Sequence, residues 1–263
     1  MQKLIYLVVL ILIFSLSGCG KKTITTSSEI NAAYITSNAS NYFSTTQKIV
    51  VEVYYEPGAE PFVGTRLNGH PYWEILEDNL KAIFKFRTNI PVIIVPKDQA
   101  SMYTLPAQNK TTWTPDDIVA LNQTYKQASP SATEAHFYIY FLKGNSSDSA
   151  NVIAESINGT PVIGVFKSVI TGSGSGIVQR YVEQSTIVHE MGHAIGFVNN
   201  GVPMKTPYQD TAHGNHSTNS NCVMYWQNEG QADLQNFVAH YISTGDNIMW
   251  GPEVMADAQA FSK

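Results

Sequence analysis

The chain has 263 residues and a formal charge of −5 at neutral pH, with a sequence pI near 5.8. That length holds one medium domain or two small ones, with apolar content ample for a core, so nothing about it demands a stapled mini-protein. Aromatic residues are present without clustered Lys or Arg, so no electrostatic footprint for nucleic acid exists and no such partner is expected.

Residues 1–18 read as a signal peptide. Lys3 leads into an apolar run, residues 4–16, that is too short for a comfortable membrane span and right for a signal h-region. The run closes with Leu16-Ser17-Gly18-Cys19, which resembles the bacterial lipobox. The resemblance implies that Cys19 becomes the lipidated first residue of an exported chain, tethered by acyl chains in the bacterial cell envelope and facing periplasm or cell surface. With Cys19 carrying lipid, Cys222 has no intrachain partner, and the fold is expected to stand without a disulfide. Residues 20–47 are rich in Ser, Thr and Asn and read as a flexible stalk, which leaves 48–263 as the folded domain.

Within that domain, residues 48–55 (KIVVEVYY) have the β-branched and aromatic content of a strand and stop at Pro57-Gly58. Trp73, Leu76, Leu80, Ile83 and Phe84 recur at helical spacing and predict an amphipathic helix over 71–87. Residues 89–95 (NIPVIIV) read as a strand buried on both faces, and 97–113 as a long loop. Thr114-Pro115-Asp116-Asp117 has the composition of an N-cap, a Pro at N1 and an acidic first turn, predicting a helix to about Lys126. Three more strands follow at 135–142, 151–157 and 161–167, the last two joined by the turn signal Asn158-Gly159-Thr160. Gly172-Ser173-Gly174-Ser175-Gly176 lacks the lysine of a phosphate loop and reads as a plain connection.

The next helix, from about Gln179 to Gly196, carries His189-Glu190-Met191-Gly192-His193. Residues four apart on a helix share a face, so both imidazoles can converge on one metal ion, with Glu190 beside them as a candidate base. Ile187, Val188, Met191, Ala194 and Ile195 lie on the opposite side, which would bury against the sheet. Gly196 suits a left-handed C-terminal cap that turns the chain sharply beneath the metal. A third ligand must come from elsewhere. Asn199 sits in Asn199-Asn200-Gly201, a turn sequence, and an amide oxygen is a weak zinc donor; Asp210, His213 and His216 lie further on.

His189 to Gly196 resembles the HExxHxxG core of the metzincin zinc peptidases. It departs at Asn199, where that clan places its third histidine. Further on, His216-Ser217, four residues and Cys222-Val223-Met224 reproduce the archaemetzincin spacing, with Ser217 replacing a cysteine. The layout is also similar to that of bacterial lipoprotein metallopeptidases. This resemblance implies His216 as third zinc ligand, with His213 the alternative, and Met224 as the Met-turn methionine. His213 and Asp210 become candidates to orient an imidazole. One catalytic Zn2+ is implied, since the cysteines of a second, structural site are missing, and Cys222 is expected to lie buried beside the Met-turn.

The implied fold class is α+β: a twisted, mixed five-stranded sheet with a backing helix and the active-site helix, then a small, mostly helical subdomain from about residue 197. Residues 232–241 and 251–261 would supply its helices. The implied activity is peptide-bond hydrolysis by a lipid-anchored, monomeric endopeptidase, with Glu190 assisting attack of zinc-bound water on a peptide or protein substrate. Tyr225 is a candidate to support the oxyanion, though one residue nearer the methionine than in the clan, which favours packing. Residues 151–157 are the candidate edge for pairing with an extended peptide. Two other readings stay open: a catalytically idle binding or adhesion lipoprotein on the same scaffold, and an exopeptidase.

Overall fold

In the computed structural model of the protein, residues 38–229 and 231–263 are described, with 231 and 232 by their backbone alone. The signal peptide, Cys19 and the first part of the expected stalk lie outside the described residues. Residues 38–47 do not behave as a stalk. Residues 38–42 are helical (α1), and Ala39, Tyr42 and Phe43 are buried in the core. Phe43 packs against Phe84, Phe197 and Phe261, and Arg87 donates to the carbonyls of Tyr42, Ser44 and Thr46. Residues 38–47 thus pack with the domain, because two aromatic side chains bury enough surface to order a polar segment.

In chain order the elements are β1 (Lys48–Tyr55), α2 (Glu74–Phe84), β2 (Val92–Ile94), β3 (Tyr103–Thr104), β4 (Thr112–Trp113), α3 (Pro115–Tyr125), β5 (Glu134–Leu142), β6 (Asn145–Ser146), β7 (Ala154–Ser156) and β8 (Val162–Phe166). Next come α4 (Lys167–Gly172), α5 (Ile177–Ile195), β9 (Gln209–Asp210), β10 (His216–Ser217), α6 (Gln231–Thr244) and α7 (Pro252–Phe261). The result is a mixed α+β fold on a mostly parallel sheet of order β2-β1-β5-β8-β7, with β3 also pairing β1. Only β7 runs antiparallel to its neighbour. All five expected strands and five expected helices appear among the described residues; α1, β3 and β4 within the expected loop, β6, α4 after β8 and the β9–β10 ribbon are additions.

Each element follows from its sequence. β5 is buried from Ala135 to Leu142, as a central strand covered on both faces must be. Thr114 and Asp117 form a reciprocal capping box at the start of α3, with Pro115 in the first turn. In α2 the apolar stripe Ile75, Leu76, Leu80, Ile83 and Phe84 is buried, and Glu74 and Glu77 occupy the first turn. α2 and α5 cover one face of the sheet, where Trp73 meets Phe141. α3 covers the other, with Tyr140 donating to Asn122.

β2 departs from expectation. It is the outermost strand on its side, and Ile90, Val92 and Ile94 are exposed, so it is covered on one face only. An Ile/Val-rich run reads the same whether central or at an edge, because period alone carries no information about neighbours. Among the described residues, no helix is long and apolar enough to cross a membrane.

One buried ion pair ties the loop after β1 to the helix that carries the motif. Lys167, at the start of α4, pairs with Glu183 on α5, and the Phe62 N–H donates to Glu183 Oε1 at 2.7 Å. The ammonium also lies 3.2 Å from the centroid of the Phe62 ring. Burial raises the Glu183 carboxyl to about 7 despite the lysine and lowers Lys167. A folded-state value above the ordinary 4.5 means that this group's contribution to stability is complete below that pH and is lost as pH rises through about 7. Lys167→Met would leave a buried carboxylate unpaired and should destabilise the domain by about 3–5 kcal/mol. Urea unfolding should show a smaller loss at pH 5, where Glu183 is protonated, than at pH 8; an equal loss at both would show that the pair is not what Lys167 provides.

Candidate metal centre

α5 is held by its apolar side. Ile187, Val188, Met191 and Ile195 are fully buried, each contributing about 1.5–3 kcal/mol relative to exposure. That packing turns His189 and His193 to the opposite side. The helix ends at Gly196, whose φ of 107° is left-handed and whose N–H reaches the carbonyls of Gly192 and His193. A Cβ there would come within 2.7 Å of Asn200 O, so only glycine makes this turn. Asn199 continues it at φ 61° and directs its amide to Gln209; it is a turn residue and takes no part in the histidine cluster.

The chain then returns as a two-stranded antiparallel ribbon in which His216 on β10 pairs with Asp210 on β9. This ribbon delivers the third imidazole. His189 Nε2 and His193 Nε2 are 3.1 Å apart, and each lies 3.2 Å from His216 Nε2. A tetrahedral ion with metal–nitrogen distances of about 2.0–2.1 Å spaces its donors about 3.3–3.4 Å apart, so the three nitrogens fit one ion.

Proton positions sharpen the argument. His189 Nδ1 lies 2.7 Å from Val223 O and His216 Nδ1 2.5 Å from His213 O. Carbonyls only accept, so both Nδ1 atoms carry a proton, and in the neutral form of each ring Nε2 presents its lone pair. Lone pairs facing each other at such distances are repulsive unless a cation lies among them. Burial above all, then the neighbouring imidazoles, hold His189 and His193 well below the usual histidine range, which keeps them neutral. Burial opposes charge on His216 too, but the Glu229 carboxylate and the His213 carbonyl outweigh it and raise that ring.

The supporting residues fall into place around these rings. His213 is not a ligand: its ring stacks on Trp226 with centroids 3.8 Å apart, its Nδ1 bonds Asp210 at 2.8 Å, and its backbone carbonyl fixes His216. Met224 is fully buried and wedges under α5, where a Cβ on Gly192 would overlap its sulfur and approach its methyl at 3.1 Å. Val223, its neighbour, orients His189, and Asn228 Nδ2 donates to the carbonyls of Cys222 and Val223 at 3.1 Å. Cys222 is buried, accepts from the Gly251 N–H and is pushed up to about 11 by burial, so it stays a thiol. Tyr225 does not line the cleft above the histidines; it lines a neighbouring groove with Phe237 and Tyr241.

That cleft has a volume of about 660 Å3 and runs between β7 and the turn Trp226–Glu229. Glu190 lies in its floor, only 4 % exposed, and its Oε2 accepts the Ser156 N–H at 2.7 Å. Burial, reinforced by Glu229, raises this carboxyl to about 8. Two residues escaped the sequence reading. Ser156 sits in the expected edge strand without a marked role. Glu229, whose carboxylate joins the three histidines in a cluster with all donor atoms within 4.8 Å of one another, has no motif spacing to announce it.

Comparison with known proteins adds no relative: no family model, curated protein or solved structure matches the chain. The chemistry of the cluster must be argued from its own atoms. They can hold one metal ion.

Gly192→Ala tests the wedge. The added methyl should displace Met224, cost about 1–3 kcal/mol of stability and weaken metal binding through the shifted Val223 carbonyl. Urea unfolding and chelator competition would read both, and a variant indistinguishable from the parent in both would rule out the wedge.

Proposed function

We propose that the protein is an exported, lipid-anchored zinc endopeptidase of metzincin type, acting as a monomer on peptide or protein substrates. The observation that carries this reading is the convergence of His189, His193 and His216 Nε2 within 3.2 Å, beside the buried carboxylate of Glu190. Three imidazoles are a typical donor set for catalytic zinc. The element order supports the clan: parallel strands, a backing helix (α2), an antiparallel edge strand (β7), the motif helix (α5) and then a methionine turn. Export and the lipid on Cys19 rest on the sequence of residues 1–19.

Zinc bound by the three histidines would supply Lewis acidity, lowering the pKa of water and polarising a scissile carbonyl. The chain's own groups do the rest. Glu190 takes a proton from the attacking water and returns it to the leaving nitrogen. Burial raises the affinity of this carboxyl for a proton, which suits its uptake from water. Its hydrogen bond to Ser156 N–H fixes one oxygen and leaves the other for that transfer.

Substrate position follows from β7. Ile153 O and Ile157 N bond β8, and Glu155 opposes Gly164, so the main chain of Ala154 and the carbonyl of Ser156 face outward by strand alternation. These groups border the cleft. An extended peptide can add to this edge by main-chain hydrogen bonds, which favours cleavage within a chain over trimming at its end.

Glu190→Gln should retain zinc while lowering kcat/KM for an N-terminally blocked peptide by about 10²–10⁴-fold. His216→Ala should lose zinc. Peptide cleavage undiminished in Glu190→Gln would overturn the mechanism, and a wild-type protein that holds zinc yet cleaves only free N-termini would replace endopeptidase with exopeptidase. Zinc binding without any hydrolysis would favour the idle binding scaffold.

A further inference from the structure

Glu229 stands closer to the three ring nitrogens than a bystander should. Its Oε1 lies 3.0 Å from His216 Nε2 and 4.0 Å from His189 Nε2. Both nitrogens present lone pairs in the neutral state, since their Nδ1 protons are committed to the carbonyls of His213 and Val223. With His216 neutral, a carboxylate oxygen and at least two nitrogen lone pairs are gathered in one place with the His193 nitrogen beside them, all within 4.8 Å of one another. The arrangement is satisfied by a cation among them, and carboxylate oxygen is a regular zinc donor.

We propose that Glu229 is a fourth, displaceable protein ligand that closes the remaining coordination position of the metal in the resting protein. Its backbone is fixed: it ends the turn Trp226–Glu229, which is anchored by Asn228 to the carbonyls of Cys222 and Val223 and by Trp226 stacked on His213. Its side chain is not: 55 % of it is exposed at the mouth of the cleft. The carboxylate can therefore leave by side-chain rotation alone, without moving the histidines. A substrate carbonyl entering along β7 would come through the cleft that Glu229 also lines, and the carboxylate would give way to it. Closure lowers the net charge at the centre from +2 to +1 in a buried setting, which strengthens retention of the ion while no substrate is present.

The inference rests on the metal reading above and is tested by binding as well as by turnover. Wild type and Glu229→Gln, which keeps the side chain's shape, would be compared by chelator competition for zinc and, after loading with Co2+, by visible absorption with and without azide. The assignment expects zinc held about 10–100-fold more weakly by the variant, a changed cobalt spectrum, and azide perturbing the variant at concentrations that leave the wild type unchanged. Equal zinc affinity with identical cobalt spectra and azide responses would overturn it while leaving the three-histidine centre intact. A wild type that binds no metal would overturn both. If the affinity and spectra change as expected but neither protein cleaves a blocked peptide, the peptidase reading fails and the fourth ligand stands.

Discussion

Three imidazole nitrogens are crowded onto one point, within 3.2 Å of one another, and the rest of the domain is arranged to hold them there. The restraint is distributed. Four apolar side chains of α5 set the direction of His189 and His193, the carbonyl of Val223 sets the rotation of the first ring, and the carbonyl of His213 sets that of His216. A single hydrogen bond contributes about 0.5–1.5 kcal/mol, whereas the buried face of α5 contributes several times that. Packing therefore supplies the position and the hydrogen bonds supply the orientation, a division that suits a centre needing accuracy more than strength.

The two halves of the molecule do this in different ways. The sheet, with α2 and α3 on its faces, is a conventional core, and the Lys167–Glu183 pair is a deep electrostatic feature in contact with the motif helix. Below α5 the chain from Phe197 to Tyr225 has almost no regular structure, yet Phe197, Val198, Val202, Tyr208, Cys222, Val223 and Met224 are all buried. The Tyr208 hydroxyl donates to Asp257 on α7, and Asn219 donates to Glu253 on the same helix. Irregular backbone is thus fixed by side chains reaching to α7 rather than by strand or helix ladders.

Much of this was legible in the sequence where one physical signal dominated. The capping box at Thr114, the stripe on α2, the glycine cap at Gly196 and the spacing of His189 and His193 each depend on local chemistry that residue order displays. What was not legible depends on neighbours. Residues 89–95 have the composition of a buried strand, but nothing in Ile90, Val92 and Ile94 says that no strand lies beyond them. Tyr42 and Phe43 are too few to form a pattern within a polar segment. The β9–β10 ribbon is two residues wide, too short for any period, although it carries His216. Glu229 is one carboxylate among many until the fold sets it beside three nitrogens.

The separation of His193 from His216 has a consequence of its own. Between them lies the whole irregular excursion through Asn199 and the β9–β10 ribbon, and an ion gripped from both ends turns that excursion into a closed ring. Ring closure removes chain entropy from the unfolded ensemble in the same manner as a covalent cross-link. Cys222 is a free thiol among the described residues, so no disulfide there shares this task. An ion held there would act as a staple. Stripping it would loosen the lower half while the sheet stays folded, whereas a reducing environment would leave both untouched.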